Sequence, residues 1–413
     1  MNMKYFAFIF AAMLAVFVSC EKKGGDDDIL DNPYMRLELT TKAREFVQQG
    51  QGFAFDFIDR INASADGNYF ISPLSMQFLL GMLLDGAQGE TATEISKVLG
   101  YGAGEVDAVN QYNLSLLQQL PNMDKQTKLN IANGIFVNKN YTLLDSYKSA
   151  VKQYYFAEVS NLNFSDKSGA LKTINGWCSK QTNGMIPKVL EDIDGSALAV
   201  LMNAMYFKSQ WKEKFSKGST SNETFTNEAG GKVKVKMMKQ EEKFPYIEND
   251  IYKAVSLPYG NGVYSMLVFL PNTGHKVSEI TASLKGDGLD KARYIMANCI
   301  VDLWLPKFET KYHVGLNDIL SAMGMPSVFA PGSANFKGMT STDVFLSYVM
   351  QDAVIKVDEE GTEAAVVSTG YAFTDAVPPP PQHVVFHADH PFLYLIMENS
   401  SGAILFAGRY GGN

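Results

Sequence analysis

The order of the periodic patterns constrains the fold of this chain more than any other feature. Apolar residues recur three and four positions apart in the first half, which predicts helices over residues 41–62, 74–86, 91–99, 106–120, 143–155 and 168–182. Strand patterns dominate afterwards, among them VLMNAMYF from Val200, YSMLVFLP from Tyr264 and CIVDLWLPKF from Cys299, followed by AVIKVD, FLYLIME and ILFAGRY. A helix-rich half followed by a strand-rich half predicts an α+β fold with large, mostly antiparallel sheets.

The composition and the lack of a linker-like segment favour one large domain. The 413 residues are 46% hydrophobic, which is enough to build a large buried core. No seam rich in Gly, Ser or Pro interrupts the chain between about residue 40 and Tyr371, so we expect a single domain over residues 41–413. The formal net charge of −8 lends no support to a nucleic-acid partner, because a phosphate-binding surface requires positive charge.

The N-terminal 40 residues predict export. Lys4 precedes an apolar run too short to span a bilayer comfortably, and the run ends at Ser19-Cys20. A small residue before Cys resembles the bacterial lipobox, in which the cysteine is lipidated and becomes the mature N-terminus. We therefore expect residues 1–20 to be a signal peptide with Cys20 as the lipidated residue, and residues 21–40 to be a charged flexible tether. A plain signal peptide cut elsewhere is the alternative.

The tether also carries an indication of location. Its sequence EKKGGDDD contains an acidic run that resembles the tails sending some lipoproteins outward across the outer membrane. The expected product is an exported lipoprotein of the outer membrane or cell surface, with an extracellular folded domain. The N-terminal lipid would be its only membrane contact.

Common catalytic signatures are missing from the sequence. There is no HExxH, paired CxxC, GxSxG or Walker loop. Cys178 and Cys299 lie too far apart in sequence to suggest a disulfide framework, and we expect both to be buried thiols. His383, His387 and His390 would suit a metal on a helix, but Val-Val-Phe between the first two favours a strand, on which the third points away. We expect no metal or cofactor.

The stretch VDEEGTEAAVVSTGYAFTDAVPPPPQ, residues 357–382, fits no ordinary element. Its run of small residues ends in four prolines, which rules out an amphipathic helix. If the chain from Thr362 onward forms a strand, one face carries only small or β-branched residues. These are Thr362, Ala364, Val366, Ser368, Gly370, Ala372 and Thr374. Such a face can slide into the middle of a sheet and under a covering helix, where bulky or charged side chains would clash.

Several long motifs follow one another between about Thr41 and Gly411. They are NYFISPLSM, LLGMLLDGAQGETATEISKVLG, NAMYFKSQWKEKF, VDEEGTEAAVVS and HPFLYLIMENSSGAILFAGRY. In this order they resemble the serpins, the serine-protease-inhibitor superfamily. The resemblance implies a serpin fold of three β-sheets and eight or nine helices. It also implies an exposed reactive-centre loop at about residues 359–382.

The resemblance further implies suicide inhibition. A serine protease, or also a cysteine protease, attacks the loop and forms an acyl-enzyme, and the loop then inserts as a strand before hydrolysis finishes. The partner would be that protease, in a covalent complex with a monomeric inhibitor that has no catalytic residue of its own. The alternative is a non-inhibitory serpin acting as a surface binding or carrier module. A hydrolase on an unrelated fold ranks third.

The matching motifs imply which residues of this chain occupy the functional regions of a serpin. The hinge of the loop corresponds to Glu359, Gly361, Thr362, Glu363, Ala364, Ala365 and Val366. The breach, where insertion begins, corresponds to Trp211, Lys307 and Glu359. The shutter beneath the centre of the main sheet corresponds to Ser72, Ser75, Asn203 and Gln351. Gln351 replaces the histidine usual in the family, and its amide offers hydrogen bonds in exchange.

The reactive bond depends on the direction of counting. Counting forward from Gly361 at the family spacing gives Asp375–Ala376, whereas counting back from Pro391 lands about five residues later. An Asp bait favours a protease with a basic pocket. Alternative baits suited to chymotrypsin-like or elastase-like pockets at shifted registers are Tyr371, Phe373, Ala376 and Val377.

Overall fold

The computed structural model describes residues 31–65, 67–347, 349–362 and 381–412. Some sequence predictions fall outside these residues. They are the lipidation residue Cys20, the hinge residues Glu363, Ala364, Ala365 and Val366, and the candidate reactive-bond residues Tyr371, Phe373, Asp375, Ala376 and Val377.

The described residues contain nine α-helices. Their bounds are Thr41–Ser64 (α1), Pro73–Gly86 (α2), Gly89–Leu99 (α3), Val106–Gln119 (α4), Asp145–Tyr155 (α5), Lys167–Gln181 (α6), Val277–Leu284 (α7), Gly288–Ile295 (α8) and Asn317–Met323 (α9). All six helices predicted from periodicity form within two residues at each end. The helices α7 to α9 have at most eight residues each, too few to show a clear helical period.

Fifteen strands are present among the described residues. Their bounds are Tyr69–Ile71 (β1), Lys128–Asn138 (β2), Glu158–Leu162 (β3), Ala199–Gln210 (β4), Ser221–Thr226 (β5), Lys232–Glu248 (β6), Tyr252–Pro258 (β7), Tyr264–Pro271 (β8), Ala297–Pro306 (β9), Phe308–Gly315 (β10), Met350–Val357 (β11), Gly361–Thr362 (β12), His383–His387 (β13), Phe392–Glu398 (β14) and Ile404–Tyr410 (β15).

The strands form three sheets. The largest has the order β1-β15-β14-β8-β7-β6-β9-β13, with β5 pairing to β6. A second sheet has the order β12-β4-β2-β3, and β10 pairs with β11 in the third. The predicted α+β class and the expectation of three sheets with eight or nine helices are confirmed.

Two helices sandwich the region around β4. The helix α2 is buried along almost its whole length, and its N-terminus is capped by the hydroxyl of Ser72, with Pro73 as the first helical residue. On the opposite side of β4, α6 packs Trp177 and Cys178 into a second apolar cluster with Met202. Strand residues that alternate along β4 therefore face α2 and α6 in turn.

Residues 32–40, which the sequence analysis assigned to a flexible tether, belong to the compact unit. The described compact unit begins at Asn32, whose side-chain Nδ2 donates to Oδ1 of Asp124 at 2.7 Å. Leu37 is only 2% exposed, and its backbone N–H donates to Ser400 at 2.8 Å. Burial of this apolar side chain holds residues 32–40 on the domain. No helix among the described residues is long and apolar enough to cross a membrane.

The cysteine and histidine predictions have clear outcomes. Cys178 and Cys299 are free and buried, as expected, and burial raises the pKa of the Cys178 thiol to about 12. His383 and His387 lie on the strand β13, as predicted, while His390 follows it. The part of the chain that the structure describes contains no group of three His, Cys, Asp or Glu residues able to hold a metal ion.

Candidate functional site: the gap between β4 and β11

Two strand edges face each other across a gap. One edge of β4 pairs with β2 and one edge of β11 pairs with β10, but no ladder joins β4 to β11 in the described ranges. Adjoining cavities between them are lined by residues of both strands, including Asn203 and Gln351. Strand edges with free backbone groups readily accept another strand. The gap therefore presents two strand edges with which a further strand could pair.

The short strand β12 occupies the end of this gap next to Gln210, which we call the upper end. Gly361 pairs with Gln210 and Thr362 with Ser209, antiparallel to β4. On the other side, Gly361 bridges to Asp358, whose N–H donates to the Gly361 carbonyl at 3.0 Å. The chain thus leaves β11, turns at residues 358–361 and starts a new strand between β4 and β11.

Gly361 is required at this turn. Its φ of +143° lies in a region that residues with a side chain rarely adopt. A Cβ added here would lie 2.4 Å from the Ser209 carbonyl oxygen and 2.7 Å from the Trp211 backbone nitrogen. The close backbone approach therefore excludes any larger residue without a local shift.

Thr362 is buried, and its contacts show which way its own side chain points. Its hydroxyl lies 3.0 Å from the hydroxyl of Tyr259, which packs edge-on against Phe207 in the main core. The Thr362 side chain therefore points toward the α2 side of the sheet.

The three predicted breach residues converge on the 358–361 turn. Nζ of Lys307 donates to Oε2 of Glu359 at 2.8 Å, and the hydroxyl of Thr220 donates to the other carboxylate oxygen at 2.8 Å. The indole Nε1 of Trp211 donates to the Asp358 carbonyl at 2.9 Å. Three separate segments therefore hold the turn by its side chains and backbone.

Trp211 is also fixed by stacking. It is 2% exposed and lies parallel to Tyr259, with ring centroids 4.5 Å apart. Its backbone N–H donates to the Glu360 carbonyl at 3.1 Å, and the N–H of Phe215 donates to the Glu359 carbonyl at 3.0 Å. The backbone of the turn is thus bonded to the segment that follows β4.

The carboxylates of the turn are held ionised. Burial alone would raise the pKa of Glu359, but hydrogen bonds from Lys307, from its own backbone N–H and from Thr220 outweigh it, so the pKa lies below its usual value. Hydrogen bonds from Lys217 and Lys214 likewise lower the pKa of Glu360. At neutral pH both glutamates of the turn are therefore ionised, and each is paired with lysine.

The predicted shutter residues connect β4 to the N-terminus of α2. The hydroxyl of Ser75 donates to Oδ1 of Asn203, and Nδ2 of Asn203 donates to Oδ1 of Asn133 on β2 at 2.7 Å. Asn133 in turn donates to the Tyr155 carbonyl at 2.7 Å. A chain of amides therefore runs from α2 through β4 and β2 to α5.

Gln351 makes the matching connection from β11. Its Oε1 accepts from the Ser72 backbone N–H at 3.0 Å, and its Nε2 donates to the Ser72 carbonyl at 2.9 Å. The hydroxyl of Ser72 also donates to the Leu405 carbonyl at 2.8 Å. Both sides of the gap are therefore attached to the first turn of α2, β4 through Ser75 and β11 through Ser72.

Sequence reasoning missed several residues of the site. Thr220 and Tyr259 contact the hinge from segments far away in sequence, and Asp358 forms the bridge to Gly361. No local pattern marks Thr220 or Tyr259. Asp358 stands in the quoted VDEEGTEAAVVS motif, so its place next to the turn was available from the sequence.

Comparisons with known proteins agree with this geometry. The family model described as Serpin (serine protease inhibitor) matches residues 48–411. The chain is 37% identical over 370 residues to a leukocyte elastase inhibitor of Xenopus laevis, covering 87% of this chain and 97% of that protein. It is 34% identical over 378 residues to the human leukocyte elastase inhibitor, with the same coverage of 87% and 97%.

A solved structure gives the same result. The chain is similar to the thermophilic serpin tengpin in its native state, with a TM-score of 0.81 and 28% identity, covering 92% of this chain and 97% of that one. The family model spans most of the sequence, and the described residues of the predicted hinge, breach and shutter lie around one gap. The chain belongs to the serpin family, whose members are mostly protease inhibitors.

Proposed function

We propose that this protein inhibits serine proteases as a suicide substrate, with the gap between β4 and β11 receiving the cleaved loop. The protease seryl oxygen attacks the carbonyl of the reactive bond, the amine of the C-terminal fragment leaves, and an ester to the protease remains. Insertion of the loop then carries the acylated protease away before water attacks the ester. The observation that carries the proposal is that β12 already pairs with β4 at the upper end of the gap.

The register of β12 predicts the rest of the inserted strand. Each further residue of the loop moves one residue back along β4 from Ser209 and one back along β11 from Val357. Ser368 would then lie between Asn203 and Gln351, at the level of the shutter. The strand β4 begins at Ala199, so the last loop residue it pairs with would be Ala372.

This register bears on the reactive bond and on the driving force. Ala372 comes three residues before Asp375, so cleavage at Asp375–Ala376 would leave the protease at the far end of the gap. Filling the rest of β4 adds about ten strand residues, because β12 already pairs with two of its 12, and at about 1 kcal/mol per net hydrogen bond this supplies on the order of 10 kcal/mol. That reserve is the energy available to distort the acyl-enzyme.

The target class and location form part of the proposal. The leukocyte elastase inhibitors among the relatives favour an elastase-type target, with chymotrypsin-like, Asp-specific and cysteine proteases as further candidates. Lipidation of Cys20 would hold the inhibitor at the cell surface. There it would protect the cell against host or competitor proteases.

The test is formation of a covalent complex. The full chain is mixed with an elastase-type protease, and intact masses are measured under denaturing conditions. We expect an adduct and a released C-terminal peptide whose mass places the cut. The variant Thr362→Arg forces a charged side chain against Tyr259 and should be cleaved without an adduct. The control variant Thr93→Arg, on the exposed face of α3, should inhibit normally.

Other proteases complete the test. Cleavage without an adduct by elastase-type, chymotrypsin-like, trypsin-like and Asp-specific enzymes alike would reject inhibition. That outcome would favour the non-inhibitory binding module instead.

A further inference from the structure

Bulky apolar and aromatic side chains are exposed where the folded domain begins. Tyr34 and Met35 are each 47% exposed, Tyr294 is 90% exposed and Ile295 is 60% exposed. Single exposed apolar side chains are ordinary on a soluble protein, but two adjacent pairs are not explained by chance exposure alone. We call these four residues the anchor patch.

The two segments that carry the anchor patch border one surface cavity. Tyr34 lines the same surface cavity, of about 490 Å³, as Arg293 and Met296, the residues that flank Tyr294 and Ile295 in sequence. Nδ2 of Asn261 donates to the Pro33 carbonyl at 3.0 Å, which fixes the segment containing Tyr34. The chain therefore enters the domain beside the C-terminal end of α8.

The surroundings of the patch have the chemistry of a membrane interface. Tyrosine is favoured there because its ring is apolar and its hydroxyl reaches water. Basic residues accompany the patch: Arg36 is exposed next to Met35, and the side chain of Lys291 is 71% exposed one turn before Ile295. Lys291 also pairs with Asp287 at 2.7 Å, so its charge is partly offset. Aromatic, aliphatic and basic side chains together suit an anionic lipid surface.

The length of chain before the domain limits how far this surface can stand from a lipid on Cys20. Eleven residues, 21–31, separate Cys20 from Asn32, and fully extended they reach at most about 40 Å. A domain of this size has a radius of gyration of about 21 Å, so its diameter exceeds that reach. The face of the domain farthest from Asn32 therefore cannot be turned onto the bilayer, whereas the surface around Asn32 can.

We propose that the anchor patch rests on the bilayer and orients the lipid-anchored domain. The inference depends on the proposed lipidation of Cys20 and not on protease inhibition. This contact goes beyond the expectation that the lipid is the only membrane contact, and it would fix which face of the domain meets the bilayer. The occupant of the patch is an anionic phospholipid surface.

The test uses the full chain, produced with its own signal sequence in a lipidating bacterium. It is reconstituted into vesicles of phosphatidylethanolamine and phosphatidylglycerol that contain brominated lipids. A fluorophore is attached to one introduced cysteine at a time, since Cys178 and Cys299 are buried. Met35→Cys and Ile295→Cys report on the patch. Phe156→Cys and Val385→Cys are controls, because these side chains are 56% and 52% exposed on other elements.

The expected result is lipid quenching at positions 35 and 295 at least about threefold stronger than at 156 and 385. Equal quenching at all four positions would overturn the proposal, as would recovery of the protein outside the vesicle fraction. If the protein has twice the monomer mass in detergent, and the cysteines at positions 35 and 295 resist labelling before any lipid is added, the patch would instead be the contact with a second copy of the chain. The double variant Tyr294→Ser with Ile295→Ser should leave the rate of protease inhibition in solution unchanged. If neither the parent protein nor any variant inhibits proteases, that result would contradict the proposed function and would leave the membrane proposal untouched.

Discussion

Nζ of Lys307 lies 2.8 Å from Oε2 of Glu359, and this ion pair ties the connection between β9 and β10 to the turn that starts β12. The two partners differ in exposure. The Glu359 side chain is only 7% exposed, whereas that of Lys307 is 40% exposed. Removal of the lysine therefore strands a buried carboxylate, while removal of the carboxylate leaves a lysine that water can solvate.

We accordingly predict that Lys307→Met destabilises the protein by about 2 kcal/mol, because a buried charged acceptor loses its strongest donor. The measurement is the first unfolding transition in a chemical denaturation at pH 7. Lys311→Met is the matched control, since Lys311 pairs with Glu309 at 2.9 Å but is 72% exposed. Its transition should stay close to that of the parent protein. Equal losses of stability in the two variants would show that the Lys307–Glu359 ion pair stabilises the protein no more than the exposed Lys311–Glu309 pair.

The same carboxylate gives a pH dependence. Because the folded-state pKa of Glu359 is lowered, its ionised form stabilises the fold, and this contribution is fully present above the unfolded-state pKa, near 4.5. It is lost as the pH falls through the folded-state pKa. The stability difference between the parent and Glu359→Gln should therefore be largest at pH 6–8 and shrink below pH 4.5. Denaturation at several pH values measures this, and a difference that does not change with pH contradicts the prediction.

Gln351 provides a second test of the gap. Gln351→Ala removes both hydrogen bonds to the backbone of Ser72 and leaves a buried N–H and C=O without those partners, so we expect a loss of about 2 kcal/mol. Gln351→His can keep one of the two bonds and should cost less. Denaturant midpoints measure both variants. Gln118→Ala, on the exposed face of α4, is the control and should change stability little.

Asp85 should make the protein more stable in mild acid. Burial raises its pKa to about 6, although a hydrogen bond from Asn110 at 2.7 Å partly opposes the shift, and its Oδ2 has no hydrogen-bond partner. Since the folded state holds the proton more tightly than the unfolded state, this contribution to stability is present at low pH and is lost as the pH rises through about 6. Asp85→Asn should therefore raise the free energy of unfolding at pH 7.5 by on the order of 2 kcal/mol. The gain should be smaller at pH 5, and an equal gain at both values would contradict a role for ionisation.

The sequence was informative wherever a pattern is local. The helices α1 to α6 followed from apolar periodicity, and the serpin motifs named candidate breach and shutter residues, whose side chains lie at the edges of the gap. The gap itself was not predictable from β4 or β11 alone. Whether a strand edge is paired depends on which other strand the whole fold places beside it. The sequences of β4 and β11 do not indicate that their facing edges lack a partner strand. Leu37 was assigned to the tether with the charged residues before it, although it is buried, because the alternation of Met35, Leu37 and Leu39 is too short to indicate an element of its own.

The final prediction tests the register of insertion. If the ladder of β12 continues, Ser368 enters between Asn203 and Gln351, with its side chain on the same α2-facing side as Thr362. Ser368→Arg would then place an unpaired charge in a buried site and stop insertion at that level. We expect this variant to be cleaved as a substrate, with many molecules consumed for each protease trapped. Ser368→Thr is small and β-branched and should inhibit like the parent. The stoichiometry of inhibition and the thermal stability of the cleaved protein are the two measurements. A variant Ser368→Arg that traps protease one-to-one would show that the loop does not enter the gap in this register.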